Sequence, residues 1–293
     1  MRARQVGGRS PIDDIREGTE HRGQSGITVR NRTITISVVA TIAVAALVVV
    51  ATGFMGNRDD ALPWRADFPT GQDLITNELA FKDPDSPDVR TSDDWIVTSG
   101  SLFADDGTGF TGPVDAEQPD VDSQRSTNSA VLRAVTTRDD FADVQVSLDI
   151  DVDELTRLPE TGENDWDGVH LFLRYTSPND LYAVDLCRRD GTLTIKKKVP
   201  PEQDGAEGTY TTLAETNFPC PMGQWQTFTA DVHNSSDGVH VSLSTPDGQV
   251  LSAVDTGEGG RPPLRDAGRV GIRGDNAMFH FRDFTVSVSD RAG

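Results

Sequence analysis

The sequence predicts an all-β protein, an antiparallel sandwich of two sheets preceded by one transmembrane helix. Short segments between about residues 71 and 290 place apolar side chains two positions apart, the period of a strand with one buried face. Turn sequences such as Pro-Asp-Gly at 246–248 separate these segments. After residue 55, no segment shows a sustained helical period. Strands without crossover helices indicate antiparallel sheets.

The predicted transmembrane helix is the run from Ile34 to Met55, which holds 22 residues without a charge. As a helix it would be about 33 Å long, enough to cross a hydrocarbon core of about 30 Å. Seven arginines precede the run, with Arg30 and Arg32 at its edge. The positive-inside rule therefore predicts a cytoplasmic N-terminus and an extracellular remainder. A cleaved signal peptide is the alternative, although its apolar region should be only about 7–15 residues long.

The resulting domain boundaries are a cytoplasmic basic tail (1–33), the transmembrane helix (34–55), a polar linker (56–70) and a β domain (71–290). The chain has 27 Lys and Arg against 47 Asp and Glu, and residues 56–293 carry 20 and 43 of these, a net charge of −23. An outer domain this acidic repels phosphate backbones, so we expect no nucleic-acid partner.

The two cysteines, Cys187 and Cys220, both lie in the predicted extracellular part, where disulfides persist. A bridge would contribute about 3–4 kcal/mol by restricting the unfolded chain. Two buried free thiols are the alternative. A metal site is disfavoured because neither a second cysteine pair nor a nearby histidine accompanies them.

The last predicted strand changes its buried face part-way along. Phe279 and Phe281 share one face, whereas Phe284 and Val286 fall in the other register. One residue near Arg282-Asp283 must therefore be absorbed, and a β-bulge is the usual way to do this.

Three stretches carry a resemblance to a known fold: "DWDGVHLFLRYTSPNDLYAVDLCRRDGTLTIKKK" from 165, the later "GQWQTFTADV", and the closing "GRVGIRGDNAMFHFRDFTVSV". Together they resemble the concanavalin-A-like jelly roll of legume lectins, laminin-G modules and laminarinase-type glucanases. Modules described as 3-keto-disaccharide-hydrolase-like end in a similar strand. The resemblance covers roughly residues 71–290 and implies a jelly-roll sandwich with a carbohydrate partner. It does not fix an activity, because this fold hosts lectins, binding modules and hydrolases.

The candidate binding face follows from side-chain alternation. If Val169, Leu171 and Leu173 point into the core, the residues between them point outward. The same alternation places residues of the next two strands on that outer face, which in members of the resembled fold is concave and holds glycans. The expected sugar-binding residues are Trp166, His170, Phe172, Arg174, Asp185, Lys196 and Lys198.

Each of these side chains has an expected role. Trp166 or Phe172 would stack on a pyranose ring, and Arg174 and Asp185 would bond hydroxyl groups, while the lysines would favour an anionic sugar such as a uronate. The alternative is a structural ladder of Arg174, Asp185 and Lys196, each pair contributing about 0.2–1 kcal/mol to strand register. In that case Trp166 simply caps one end of the sandwich.

The sequence favours binding without cleavage. Glucanases of the resembled fold use two glutamates on one strand, spaced around an aspartate, and no Glu-x-Asp-x-Glu occurs in this chain. We therefore expect a membrane-anchored, lectin-like domain that binds polysaccharide. A polysaccharide hydrolase or lyase of the same fold is the first alternative, and an adhesion or scaffold module that binds protein is the second.

A structural Ca²⁺ is also expected from the resemblance, since such jelly rolls often hold one where the first strand meets the last. Asn77, Glu78 and Asp283 occupy matching positions, and hard oxygen ligands suit Ca²⁺. The alternative for Glu78 is a solvated carboxylate at a strand edge.

Overall fold

The computed structural model describes residues 62–112, 132–157, 162–201 and 208–291. Their regular secondary structure is almost entirely antiparallel β, which confirms the all-β prediction. The described part of the chain contains no helix long and apolar enough to cross a membrane. The predicted tail and transmembrane segment, 1–55, lie outside the described residues.

The strands are β1 (Trp64–Arg65), β2 (Gln72–Asn77), β3 (Trp95–Asp105), β4 (Thr108–Phe110), β5 (Leu132–Thr136), β6 (Val144–Leu155), β7 (Gly168–Ser177), β8 (Asp180–Asp185), β9 (Thr192–Val199), β10 (Thr209–Asn217), β11 (Gln226–Asn234), β12 (Val239–Ser244), β13 (Val250–Asp255), β14 (Arg269–Asp275) and β15 (Ala277–Val288). One short helix, α1 (Leu79–Lys82), follows β2, and a single 3₁₀ turn covers Glu258–Gly260.

The strands form a continuous hydrogen-bonded path in the order β10-β9-β8-β7-β14-β5-β3-β4-β15-β6-β11-β12-β13, with β1 on β15 and β2 on β3. Strand β3 belongs to both halves of this path: its first part pairs with β5 and its second part with β2 and β4. We call the half from β10 to β3 the site sheet and the half from β3 to β13 the rear sheet. The jelly-roll topology itself stays a prediction of the resemblance.

Both sheets bury their apolar faces in one core. Val169, Leu171 and Leu173 of the site sheet lie in the same buried cluster as Leu148 and Ile150 of the rear sheet. The predicted alternation is therefore correct for β6 and for β7 as far as Leu173. Because the core takes every second side chain, the intervening residues of β7, β8 and β9 form the outer face of the site sheet.

The β structure begins earlier than predicted. β1 lies inside the expected linker, 56–70, and pairs with β15. The Trp64 ring contacts Trp95 and Phe284 at centroid distances of 5.8 Å and 6.1 Å. A strand of two residues is too short to show an alternation, so the sequence pattern could not reveal it.

Two other predictions about the chain are confirmed. The register of β15 shifts between Arg282 and Thr285, and Asp283 has a φ of 52°, which is the predicted bulge. Cys187 and Cys220 form a disulfide with their Cα atoms 5.1 Å apart. The alternative of two free thiols is therefore wrong.

The prediction for Arg174 is wrong. The pairing of β7 with β14 shifts by one residue at this point, and Arg174 has a φ of 49°. This bulge turns the side chain away from the outer face, and Arg174 is only 1% exposed. Its guanidinium donates to the Asp143 carboxylate at 2.8 Å, to the Asn234 side chain at 2.9 Å and to the Leu264 carbonyl at 2.6 Å. Arg174 therefore ties the site sheet to segments of the rear sheet and is not part of an outer ladder.

We expect Arg174→Met to lower the free energy of unfolding by about 3 kcal/mol, because the three groups that its buried guanidinium bonds would lose a cationic donor. Urea unfolding of the full-length chain measures this. The control is Arg282→Met on β15, whose side chain is 44% exposed beside Asp149, and whose effect should stay within about 1 kcal/mol. Equal decreases in the free energy of unfolding for the two variants would contradict the role assigned to Arg174.

Candidate functional site

A pocket opens on the outer face of the site sheet, with a volume of about 340 Å³. This volume lies within the range of about 300–1,000 Å³ that is typical of small-molecule sites. Its lining residues are Trp166, His170, Asp185, Arg188, Lys196, Lys198, Gly208, Tyr210, Arg273 and Asp275.

Five of the seven predicted binding residues line this pocket: Trp166, His170, Asp185, Lys196 and Lys198. The structure brings them together from the turn before β7 and from β7, β8 and β9. Their role in binding a ligand stays a prediction.

The other two predicted residues do not line the pocket. Arg174 is displaced by the bulge in β7. Phe172 is on the outer face but only 2% exposed, in a small apolar cluster that includes Tyr175, whose ring centroid is 5.8 Å away. A sugar cannot stack on a ring that is covered in this way, so the stacking role predicted for Phe172 is wrong. The alternation gave the correct face, but it cannot tell which part of a face is covered.

A row of polar residues crosses the sheet at the base of the pocket. In register, Thr194 of β9 faces Asp185 of β8, Asp185 faces His170 of β7, His170 faces Arg273 of β14, and Arg273 faces Arg133 of β5. Directly opposed side chains on one face of a sheet are close enough to interact. The row therefore places a carboxylate, an imidazole and two guanidinium groups side by side.

The Asp185 carboxylate is the anionic centre of this row and is 1% exposed. It accepts hydrogen bonds from His170 Nδ1 at 2.7 Å, Arg188 at 3.2 Å and Lys196 Nζ at 2.6 Å, and from the Thr194 hydroxyl. Burial on its own would raise the pKa of Asp185, but the neighbouring His170 and Lys196 outweigh burial and hold the pKa well below its usual range. The group is therefore ionised and can only accept hydrogen bonds.

His170 lies between two carboxylates. Its Nδ1 contacts Asp185, and its Nε2 faces Asp275 Oδ2 at 4.0 Å, too far for a hydrogen bond. Because Asp185 can only accept, Nδ1 carries a proton, and in the neutral imidazole the lone pair is on Nε2. Among the described residues this Nε2 has no hydrogen-bond partner, although the side chain is buried. Nε2 is therefore a buried atom without a hydrogen-bond partner among the described residues, next to the Asp275 carboxylate.

Positive charge is in excess around the pocket. Arg133 and Arg273 are opposed across the strand pair and both are buried, and burial together with the charge of Arg273 lowers the pKa of Arg133 to about 10. Like charges directly opposite one another destabilise a sheet. Burial also raises the pKa of Asp275, although Arg273, which donates to its Oδ2 at 2.7 Å, and His170 act in the opposite direction. An anionic ligand would relieve this imbalance.

Two aromatic side chains form the rim. Trp166 is 44% exposed in the turn before β7, and Tyr210 of β10 is 40% exposed. Lys198 Nζ lies 4.9 Å from the centroid of the Tyr210 ring. Burial of the hydroxyl raises the pKa of Tyr210, and the charges of Arg273 and Asp185 also act on it. Tyr210 thus borders the pocket on the β10 side, next to Lys198.

Sequence reasoning missed five lining residues: Arg188, Gly208, Tyr210, Arg273 and Asp275. Arg273 and Asp275 are two apart in "GIRGD", and this spacing could have placed both on one face. Tyr210 could not be placed, because β10 shows little contrast between buried and exposed positions.

The predicted calcium ligands are used in other contacts. Glu78 is buried and accepts the Gly100 N–H at 2.8 Å, so it is not the solvated carboxylate of the alternative. Asn77 bonds the backbone of Asp88 at 2.9 Å, while the Asp283 side chain is 76% exposed in the bulge of β15. The described residues contain no group of three or more His, Cys, Asp and Glu side chains arranged to hold a metal ion. A structural Ca²⁺ stays a prediction.

Comparison with known proteins finds no matching family and no matching curated protein sequence. The solved structures to which the chain is similar include three from different sources. The carbohydrate-binding module CBM66 from Bacillus subtilis is 13% identical, with a TM-score of 0.43 over 66% of this chain and 94% of the module. Arcelin-5, a lectin-like defence protein from Phaseolus vulgaris, is 13% identical, with a TM-score of 0.42 over 78% and 98% of the two chains. Lectin I-B4 from Griffonia simplicifolia is 15% identical, with a TM-score of 0.38 over 67% and 93%. No family is assigned to the chain.

The ionised Asp185 predicts a specific pH dependence of stability. Its pKa in the folded protein lies below the value of about 3.9 of an unfolded aspartate, so its ion pairs stabilise the fold above about pH 4, and this stabilisation is lost as the pH falls toward the folded pKa. Asp185→Asn should lower the free energy of unfolding by about 3–5 kcal/mol at pH 7. Denaturant unfolding between pH 7 and pH 3 should show that the difference in unfolding free energy between this variant and wild type becomes smaller as the pH falls. The exposed Asp283→Asn is the control and should follow wild type, whereas a difference for Asp185→Asn that is constant with pH would contradict the assignment.

Proposed function

We propose that this protein binds an anionic glycan, one with uronate sugars, in the pocket of the site sheet. The observation that carries the proposal is the excess of positive charge in this pocket, on a chain with a net charge of −20. Four basic residues line it, together with two carboxylates: Asp185, which accepts from four donors, and Asp275, which accepts from Arg273 at 2.7 Å. The basic residues are Arg188, Arg273, Lys196 and Lys198.

The pocket has the two kinds of surface that a sugar needs. The exposed face of Trp166 offers an apolar ring on which a pyranose can lie. The lysines and Arg273 offer charged donors for a carboxylate, and charge-assisted hydrogen bonds of this kind are roughly twice as strong as neutral ones. Asp275 and His170 add groups that can bond hydroxyls. The ligand is thus recognised through one stacked face and one charged edge.

We also propose that the 34–55 segment anchors the protein in a membrane, with the pocket outside the cell. The uncharged run and the arginines before it support this orientation. The disulfide supports it too, since disulfides persist in oxidising compartments. In intact cells that express the chain, an added protease should remove the C-terminal domain and leave the N-terminal tail protected. Protection of both ends would contradict this orientation.

The binding proposal is tested by measuring the affinity of the full-length protein for oligouronates. Each oligouronate is compared with the same oligosaccharide after its carboxyl groups have been reduced to alcohols. We expect the acidic form to bind at least tenfold more tightly, and the difference to shrink with added salt because the contacts are ionic. Calorimetry measures both effects. Equal affinity for the two forms would show that carboxylates are not recognised.

Two tryptophan variants locate the binding site in the same assay. Trp166→Ala should weaken binding about tenfold or more, because a central aromatic contact is lost. Trp225→Ala removes a ring of similar exposure next to β11 in the rear sheet and should leave the affinity unchanged. The reverse result would place the site on the other sheet.

A further inference from the structure

Lys197 is buried on the inner face of the site sheet, where a charged side chain is unusual. It belongs to β9, and its side chain is 0% exposed. The alternation of β9 places it on the same face as Leu193 and Ile195, which pack in the core. Lysine is almost never fully buried unless it is paired. The partner of this lysine is Asp255 at the end of β13, whose side chain is also 0% exposed.

The ammonium group of Lys197 has a partner for each of its protons. Its Nζ lies 2.9 Å from Asp255 Oδ2 and 3.2 Å from Oδ1, and it donates to the carbonyls of Glu258 at 3.2 Å and Arg261 at 2.7 Å. If one proton moves to the carboxylate, the two that remain still bond the two carbonyls, and the lone pair of Nζ faces the carboxyl group. Burial favours this transfer, because it penalises the charged forms of both groups.

Tyr182 holds one oxygen of the Asp255 carboxyl group. This tyrosine is on β8, in register with Lys197, and its hydroxyl donates to Asp255 Oδ2 at 2.5 Å. The Leu264 N–H donates in turn to the Tyr182 oxygen at 3.0 Å. Burial and the contact with Asp255 raise the pKa of Tyr182 well above its usual range, so the hydroxyl keeps its proton. The carboxyl group is therefore fixed next to the amine.

The other carboxyl oxygen is bound by the backbone of the turn after β13. The N–H groups of Gly257 and Glu258 donate to Asp255 Oδ1 at 3.0 Å and 3.2 Å. Two backbone donors on one oxygen are the arrangement that stabilises the oxyanion of an acyl-transfer intermediate. Because Lys197 Nζ contacts both carboxyl oxygens, the carbon between them is also within its reach. Groups that a fold holds about 3–3.5 Å apart react much faster than the same groups free in solution.

We propose that Lys197 and Asp255 condense to an amide once the chain has folded. One proton passes from Lys197 Nζ to Asp255 Oδ2, across 2.9 Å. The lone pair of Nζ then attacks the carboxyl carbon, and the electron pair of the carbonyl bond moves to Oδ1. A second proton passes from Nζ to Oδ2, the bond from carbon to Oδ2 breaks, and this oxygen leaves as water while the carbonyl bond forms again. One ammonium and one carboxylate give one amide and one water, so no co-reactant is consumed.

The amide joins the two sheets of the domain. Lys197 is on β9 of the site sheet, and Asp255 ends β13 of the rear sheet, 58 positions later in the sequence. The disulfide instead connects the segments that follow β8 and β10, two strands of the site sheet. The amide therefore keeps the sheets linked when their non-covalent contacts are lost. This inference is independent of the ligand proposed for the pocket.

Peptide mapping of the full-length wild-type protein by mass spectrometry tests the proposal, after the disulfide has been reduced and the chain digested. We expect the peptides that contain Lys197 and Asp255 to be joined, with a combined mass lower than their sum by one water molecule. Fragmentation should place the link between these two residues. Recovery of the two peptides separately, with unmodified masses, would overturn the proposal. Loss of water at Asp255 without a joined peptide would overturn it too, because it would indicate a cyclic imide.

A pair of lysine variants assigns the link. Lys197→Arg keeps a cation beside Asp255 but removes the amine, so the joined peptide should be absent. The matched control is Lys198→Arg, the next lysine of β9, whose Nζ lies 4.9 Å from the centroid of the Tyr210 ring; it should give the joined peptide as wild type does. A joined peptide in the Lys197→Arg variant would overturn the assignment. The wild-type map decides the proposal even if this variant fails to fold.

Discussion

The Asp185 carboxylate is the group on which the rest of the pocket depends. Its donors come from β7, from β9 and from the turn after β8, so a single buried charge fixes the relative positions of three parts of the site sheet. Burying a carboxylate is costly unless it is paired and hydrogen-bonded. This requirement makes the arrangement cooperative, because Lys196 and His170 stay in place only while Asp185 remains charged.

Charge is distributed unevenly over this protein. The chain as a whole is strongly acidic, whereas the pocket brings arginines and lysines together from several strands. The opposed Arg133 and Arg273 are the clearest sign of this: Arg273 is paired with Asp275 at 2.7 Å, and burial together with the charge of Arg273 lowers the pKa of Arg133. On the proposed function, a negative ligand would add a further counter-charge at this place.

Strand alternation predicted the inner and outer faces of β7, β8 and β9, and with them five of the pocket residues. It failed at Arg174, because a bulge shifts the alternation by one residue and nothing in the local sequence marks the position. It also failed for Phe172, since whether a ring is covered depends on neighbouring strands. Arg273 and Asp275 were missed for a related reason: the last strands of the sequence lie next to β7 in space, and periodicity does not reveal strand order.

The disulfide has a consequence for where a working pocket can form. Cys187 immediately precedes Arg188, and Cys220 follows β10, the strand that carries Tyr210. The covalent link therefore holds the segment of Arg188 next to the end of β10, the strand whose start carries Tyr210. A chain kept reduced would lack this constraint, so under the proposed export the pocket would acquire it only in an oxidising compartment.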